Sequence, residues 1–249
     1  MSGHSKWASI KHQKGVADAR RGQLFTKLTR EIIVAVRQGG PSPDTNFRLR
    51  LAVQKARDNN MPLDNIDRAI KRGSGETDGA ALTEMVLEGY GLSGAAILVQ
   101  ALSDNKNRTV QEVRNLFTRN GGNLGESGCV AWLFESKGLI MIETGDNDPE
   151  ELALQAIDAG AEDVKIEGDH VEIYTKPEDF MAVRGKLEES GITIDSSEVS
   201  MLPQTTLDLE EKPALQNLRL LNKLEELDDV QLVVSNVNFT DDILEKFES

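Results

Sequence analysis

The charge of this chain changes sign at one place, and its secondary-structure pattern changes at the same place. Residues 1–72 carry 15 Lys and Arg against 6 Asp and Glu, a net charge of +9. Residues 73–249 carry 13 Lys and Arg against 36 Asp and Glu, a net charge of −23. Helical spacing fills the basic part, whereas short strands and helices alternate in the acidic part. The sequence therefore predicts a basic helical block that binds a polyanion, joined to an acidic α+β body.

Three helices are predicted in the basic block. An apolar residue recurs at every fourth position of the first helix, over 16–38, and Gly39-Gly40-Pro41 ends it. A second helix is predicted over 44–59. The third begins at Pro62 and ends at Gly73, because proline suits a first helical turn and glycine suits the position after a last one. Residues 74–80 form the predicted linker.

The acidic body is predicted to contain two α+β domains. The first segment has strands at 82–90 and 95–102, a helix at 108–119 and a strand at 130–134. The next segment has the order β-α-β-β-α-β of a complete ferredoxin-like unit, with strands at 138–143, 162–167, 170–175 and 192–202 and helices at 149–159 and 177–190. The tail adds a helix at 211–227 and a strand at 230–237.

The tail decides the domain organisation. A lone helix and strand cannot cover their own apolar faces, and the first segment lacks a second helix. We therefore expect the tail to return and complete the first sheet, in preference to forming a third independent lobe. The predicted domains are 1–78, a discontinuous domain of 79–136 plus 205–249, and an inserted domain of 137–204. The fold class is α+β: a basic three-helix domain followed by two ferredoxin-like-type domains, one inserted into the other.

The first helix is predicted to present a row of cations. Because each helical residue turns by about 100°, its apolar stripe lies nearly opposite the cations, which are Arg20, Lys27, Arg30 and Arg37. A solvated face would explain such a row if acids were interleaved, but besides Asp18 only Glu31 is acidic here. Phosphates are the favoured partner. Reversing Lys27 and Arg30 to Glu is expected to abolish binding without unfolding the protein.

The other two helices give weaker signals. In the second helix Arg48 shares a face with Lys55, and a separate face carries Arg50 and Arg57. Only one of these faces can meet a ligand, and the sequence leaves the choice open, although Arg48 and Lys55 are taken as candidates. In the third helix, pairing with Asp64 and Asp67 explains Arg68 and Lys71, which leaves Arg72 as the better candidate contact.

The N-terminal arm is the last candidate element. Its cations and single aromatic side chain are typical of segments that contact phosphates and stack on bases, and they are Lys6, Lys11, Lys14 and Trp7. His4 and His12 have no further ligand at a suitable spacing, so no metal site is predicted.

Other functional classes find little support. The glycines at 121–125 lack the lysine of a phosphate-binding loop, and no catalytic constellation is assembled, so neither enzyme activity, a cofactor nor a small-molecule substrate is predicted. The single cysteine and the absence of a membrane-spanning apolar run predict a cytoplasmic protein without membrane partners.

Several short segments of the sequence resemble those of the YebC/PmpR family. They include Gly3-His4-Ser5-Lys6-Trp7, Leu24-Phe25-Thr26-Lys27-Leu28, Asn59-Asn60-Met61-Pro62, Glu88-Gly89-Tyr90-Gly91 and Asp104-Asn105-Lys106-Asn107-Arg108-Thr109. The resemblance covers essentially the whole chain.

The resemblance implies a helical domain followed by two α+β domains in a cytoplasmic DNA-binding transcriptional regulator. The same family includes the mitochondrial translational activator of cytochrome c oxidase, and bacterial members have been proposed to act on ribosomes stalled at proline-rich stretches. Promoter DNA and ribosomal RNA therefore both remain candidate partners. The basic arm suits irregular RNA. A helix-turn-helix signature would favour DNA, but the sequence does not show one.

Overall fold

The computed structural model describes residues 18–75 and 81–248. In chain order the elements are α1 (Asp18–Gly39), α2 (Phe47–Asp58), α3 (Leu63–Gly73), β1 (Thr83–Tyr90), β2 (Ala96–Ser103), α4 (Lys106–Arg119), β3 (Asn123–Leu124), β4 (Phe134–Glu143), α5 (Pro149–Ala159), β5 (Asp163–Glu167), β6 (His170–Thr175), α6 (Phe180–Glu189), β7 (Ser196–Pro203), α7 (Glu211–Glu225), β8 (Val230–Ser235) and α8 (Asp241–Glu248). Among these helices none is both long and apolar enough to cross a membrane.

The helical block consists of α1, α2 and α3 packed around one apolar core. Its fully buried side chains include Ile32 of α1 and Leu49 of α2, and Ile66 of α3 is nearly as buried. Asn46 fixes the turn between α1 and α2, because its side chain accepts a hydrogen bond from Leu49 N (3.0 Å) and donates to Ala35 O (2.7 Å). A buried amide with these partners caps α2 and ties it to α1.

The first sheet is antiparallel and has the strand order β3-β1-β2-β8. The tail therefore returns to this sheet, since β8 pairs with β2 and α7 packs against β8. We call β1 to β3, α4, α7 and β8 the first module. It belongs to the same compact unit as the helical block, formed by Gly15–Trp132 and Leu209–Ser235.

The second sheet has the order β5-β6-β4-β7, again with antiparallel neighbours. This is the strand order of a ferredoxin-like unit, and the α+β fold class is confirmed. The sheet lies in the second compact unit, Leu133–Asp208 with Asn236–Ser249. Leu207 holds the end of the chain in that unit by accepting a hydrogen bond from Asn238 N (2.9 Å) and donating one to Asn236 O (2.7 Å). Residues after 235 thus group with the inserted segment, whereas the sequence analysis assigned them to the discontinuous domain.

Two local predictions are wrong. The strand predicted at 130–134 is instead a short 3-10 turn, Ala131–Leu133, and the two-residue β3 takes its place in the sheet. The backbone N–H groups of Val130 and Ala131 bond to the buried carboxylate of Glu88 at 2.8 and 2.7 Å, so they are not available to a strand ladder. Helix α8 was also missed, although aspartates at its start are typical of a first helical turn.

Asn217 of α7 provides a test of the discontinuous architecture. Its buried amide accepts a hydrogen bond from Leu92 N (3.0 Å) and donates one to Leu92 O (3.1 Å), which ties the tail helix to the turn between β1 and β2. Asn217→Leu is expected to lower the free energy of unfolding by about 2–3 kcal/mol, because it leaves these backbone groups without a partner. Urea unfolding measures the change. Asn222→Leu on the same helix is the control. Its side chain bonds only to exposed Glu226 within the described part of the chain, so the change should cost less than about 0.5 kcal/mol.

Candidate nucleic-acid interface

The predicted site residues fall into groups with different surroundings. Lys6, Trp7, Lys11 and Lys14 lie outside the described residues, as does the side chain of Arg20. The other candidates lie on α1, α2 and α3, and their contacts separate cations that hold the protein together from cations that remain open.

Two cations of the α1 row, Lys27 and Arg30, pack against the first module. Lys27 donates to Glu225 O at 2.5 Å, and Arg30 donates to Asp228 O at 2.7 Å and to the Asp229 carboxylate at 2.7 Å. Gln23, one helical turn before Lys27, donates to Glu226 O and to the Asp228 carboxylate. We call residues 225–229 the acidic segment. It combines the C-terminal end of α7, where backbone carbonyls favour cations, with the carboxylates of Asp228 and Asp229.

Lys27 and Arg30 therefore already have partners within the protein, while their assignment as phosphate contacts stays a prediction. Reversing both to Glu would oppose the acidic segment, so this double variant would also destabilise the docking of the helix. Val34 is the signal in the sequence for this arrangement. On a helical wheel with Arg20 at 0°, Val34 lies at about −40°, which is between Lys27 and Arg30. Val34 is only 4% exposed. An apolar residue within a cation row indicates a second buried side of the helix.

Asp229 is the centre of this docking. Its carboxylate is buried and accepts hydrogen bonds from Arg30, Arg108, Thr109 and Ser103, at 2.7, 2.8, 2.5 and 2.8 Å. Burial alone raises the pKa of Asp229, but the hydrogen bonds from Arg108, Thr109 and Ser103 and the nearby charge of Arg30 outweigh burial and lower the pKa to about 2. The carboxylate therefore stays charged at neutral pH and joins α1 to α4 and β2.

Arg48 is also engaged within the protein. Its guanidinium donates to Glu31 at 2.8 Å and to Gln38 at 2.6 Å, and it forms an ion pair with Glu84 of β1. Burial disfavours its charge, yet these carboxylates raise the pKa of Arg48 above its ordinary value. Arg48 thus joins α1, α2 and β1, and its assignment as a contact to nucleic acid stays a prediction. Arg37 and Lys55 likewise have interactions within the chain.

The open cations lie elsewhere in the helical block. Arg50 donates to Pro43 O and Asp44 O, whereas Arg57 on the same face is exposed. Arg68 donates to Asp64 O and to the Asn65 side chain. Among the described residues of the helical block, 18–75, the exposed cations whose charged groups make no hydrogen bond or ion pair are Arg57, Lys71 and Arg72. Lys71 therefore lacks the predicted Asp67 partner, and Arg72 is open as the sequence suggested.

A cleft brings two predicted residues of the helical block together. It has a volume of about 400 Å³ and is lined by Phe25, Thr26, Thr29, Arg30, Ile33, Met61, Asn65, Arg72, Leu82 and Asp104. Arg30 comes from α1 and Arg72 from α3, and residues of the first module complete the lining. Sequence reasoning found both cations but missed the cleft, because its lining comes from segments far apart along the chain.

Comparison with known proteins covers nearly the whole chain. Residues 5–76 match the family model described as the TACO1/YebC protein N-terminal domain, and residues 82–237 match the model of the TACO1/YebC second and third domain. A probable transcriptional regulatory protein of Dehalococcoides mccartyi is 61% identical over 249 residues, covering 100% of this chain and 99% of the relative. One of Natranaerobius thermophilus is 52% identical, covering 98% and 99%.

A solved structure has the same fold. The crystal structure of a conserved hypothetical protein from Aquifex aeolicus matches with a TM-score of 0.81 and 48% sequence identity, covering 91% of this chain and 94% of that chain.

Replacing Asp229 tests its role in docking the helical block. Asp229→Asn is expected to lower the free energy of unfolding at pH 7 by about 2–4 kcal/mol, because two guanidinium groups lose their charged partner. A lowered pKa contributes stability above the pKa of the unfolded carboxyl, about 3.9, and the contribution is lost as pH falls toward 2. Urea unfolding should thus give a constant difference between variant and wild type from about pH 7 to 5 and a smaller one below about pH 4.

The neighbouring Asp228→Asn variant removes the same charge from an exposed side chain, and it should cost less than about 1 kcal/mol at any of these pH values. Equal effects of the two variants would contradict the central role of Asp229.

Proposed function

The chain belongs to the TACO1/YebC family, and on that premise we propose that it regulates gene expression by binding nucleic acid through its helical block. Curated relatives that span its full length are named probable transcriptional regulatory proteins. The first candidate function is accordingly that of a DNA-binding transcriptional regulator.

One observation carries the proposal. The helical block has a surplus of cations, and after the docking contacts to the acidic segment are satisfied, Arg57, Lys71 and Arg72 still have open charged groups among the described residues. Cations left exposed and unpaired in an otherwise acidic protein are suited to phosphate groups, which exchange bound counterions for protein contacts. Nucleic acid is the polyanion that a regulator of gene expression meets.

Ribosomal RNA is the second candidate partner. Two observations favour it: the cleft beside Arg72 is lined in part by the apolar side chains of Phe25 and Leu82, which suit an unpaired base, and residues 73–249 carry a net charge of −23. Such a body is repelled by a long duplex but fits an assembly whose proteins are basic. In that case the protein is a translation factor that acts on the ribosome, including ribosomes stalled at proline-rich stretches.

Neutralising the open cations tests the proposed interface. The variant Arg57→Gln/Lys71→Gln/Arg72→Gln should bind nucleic acid more weakly at all sequences. The slope of log K against log salt should fall by about 2 for single strands, because each lost phosphate contact removes about 0.7. Fluorescence anisotropy titrations between about 0.05 and 0.2 M salt measure this slope.

A matched variant controls for net charge. Lys106→Gln/Arg114→Gln/Arg119→Gln removes three exposed cations from α4, outside the helical block. Its affinity and salt slope should stay close to those of the wild type. The same loss in both triple variants would show that binding follows overall charge, and the helical block would then not be the interface.

The nature of the partner is tested by competition on ribosomes. The purified protein is sedimented with intact ribosomes at about 0.15 M salt, where weak non-specific attraction is largely screened, and promoter-length duplex DNA is then added. Retention on ribosomes in the presence of DNA supports the translation factor. Transfer to one duplex but not to a scrambled duplex supports the transcriptional regulator.

A further inference from the structure

The cleft in the helical block has the size and the chemistry of a binding site for one small planar ligand. Its volume of about 400 Å³ lies within the range of about 300–1,000 Å³ that is usual for small-molecule sites. Elements from three parts of the chain line it, namely α1, α3 and the segments that flank β1 and β2.

The apolar part of the lining suits the face of a nucleobase. Ile33 and Met61 are buried, and Phe25 and Leu82 are partly buried against the same core. Every base has an apolar face, whatever the sequence. Stacking of that face on an aromatic or apolar surface stabilises binding by about 1–3 kcal/mol per base. A single aromatic ring surrounded by aliphatic side chains offers room for one base.

The polar part of the lining suits a phosphate and the edge of a base. The guanidinium of Arg72 makes no contact within the described ranges, and only one nitrogen of Arg30 is used by the acidic segment. The amide nitrogen of Asn65 likewise has no acceptor among the described residues, since the hydrogen bond of this side chain comes from Arg68 and is accepted by its oxygen. Asp104 adds a carboxylate that binds Arg108 through one oxygen. Its charge disfavours a phosphate near it and favours the amino group of a base.

We propose that this cleft binds a single unpaired nucleotide, with its base against Phe25 and Leu82 and its phosphate at Arg72 and Arg30. A base within a duplex is covered on both faces and cannot enter, so the cleft selects loops, bulges and single strands. The inference rests on the proposed nucleic-acid function and deepens it, because it names the nucleic-acid element that the helical block recognises.

Filling the cleft tests this proposal without changing any charge. Thr26 is exposed and lines the cleft, and among the described residues its side chain bonds only to Gly22 O of its own helix (3.0 Å). Thr26→Trp is expected to lower the affinity for a labelled single strand of about 12 nucleotides by about tenfold, the loss of one stacked base. Affinity for a duplex of the same sequence should change by less than about twofold. RNA and DNA strands are both titrated, since an unpaired base of either fits the lining.

Thr118→Trp is the matched control. Thr118 is an exposed residue of α4 and makes the same bond to the fourth preceding carbonyl, Arg114 O, at 3.0 Å, but it does not line the cleft. Its single-strand affinity should equal that of the wild type. In the wild-type protein, a 4-thiouridine placed in the RNA strand should crosslink to peptides containing Phe25 or Met61, and this measurement does not depend on the folding of any variant.

The outcomes separate the two proposals. Unchanged single-strand affinity of Thr26→Trp on both RNA and DNA, or crosslinks confined to other peptides, would overturn the cleft proposal while the nucleic-acid function stands. Failure of the wild-type protein to bind any strand or duplex would overturn the proposed function and the cleft proposal together.

Discussion

The buried carboxylate of Asp229 is the contact on which the arrangement of the helical block depends. Taking a carboxylate out of water is costly, and here two guanidinium groups and two hydroxyls offset that cost. Because these donors come from α1, β2 and α4, the same charge holds three elements together. The position of α1 on the first module, and with it the cleft beside Arg30, follows from this contact.

The docking also explains how opposite charges coexist in one chain. The basic row of α1 meets the acidic segment, so part of the block's positive charge is satisfied inside the protein. What remains for a partner is a smaller set of cations at the ends of α2 and α3. A partner that used Lys27 or Arg30 fully would have to displace carboxylates and helix-end carbonyls that are already in place.

Local pattern was enough to predict most of the fold but little of the site. The return of the tail to the first sheet follows from the need to cover an apolar face, and the second sheet follows from its β-α-β-β-α-β order. The segment 130–134 was mistaken for a strand because its partner, Glu88, lies 42 residues from Val130. The contacts of Lys27 and Arg30 within the protein were missed for the same reason, since their partners lie about 200 residues away. Only Val34 gave a local signal.

Affinity and selectivity can therefore reside in different parts of the same block. Open cations attract any phosphate backbone, and their contribution weakens with salt. On the proposed function they give a protein with a strongly acidic body the attraction it needs to reach nucleic acid, but they do not distinguish a duplex from a loop. On our proposal the cleft adds the missing discrimination, because a paired base is covered on both faces and only an unstacked base can pack against the apolar side chains of the lining. A regulator built in this way recognises the shape of its target in preference to its sequence, which fits a structured RNA better than a promoter.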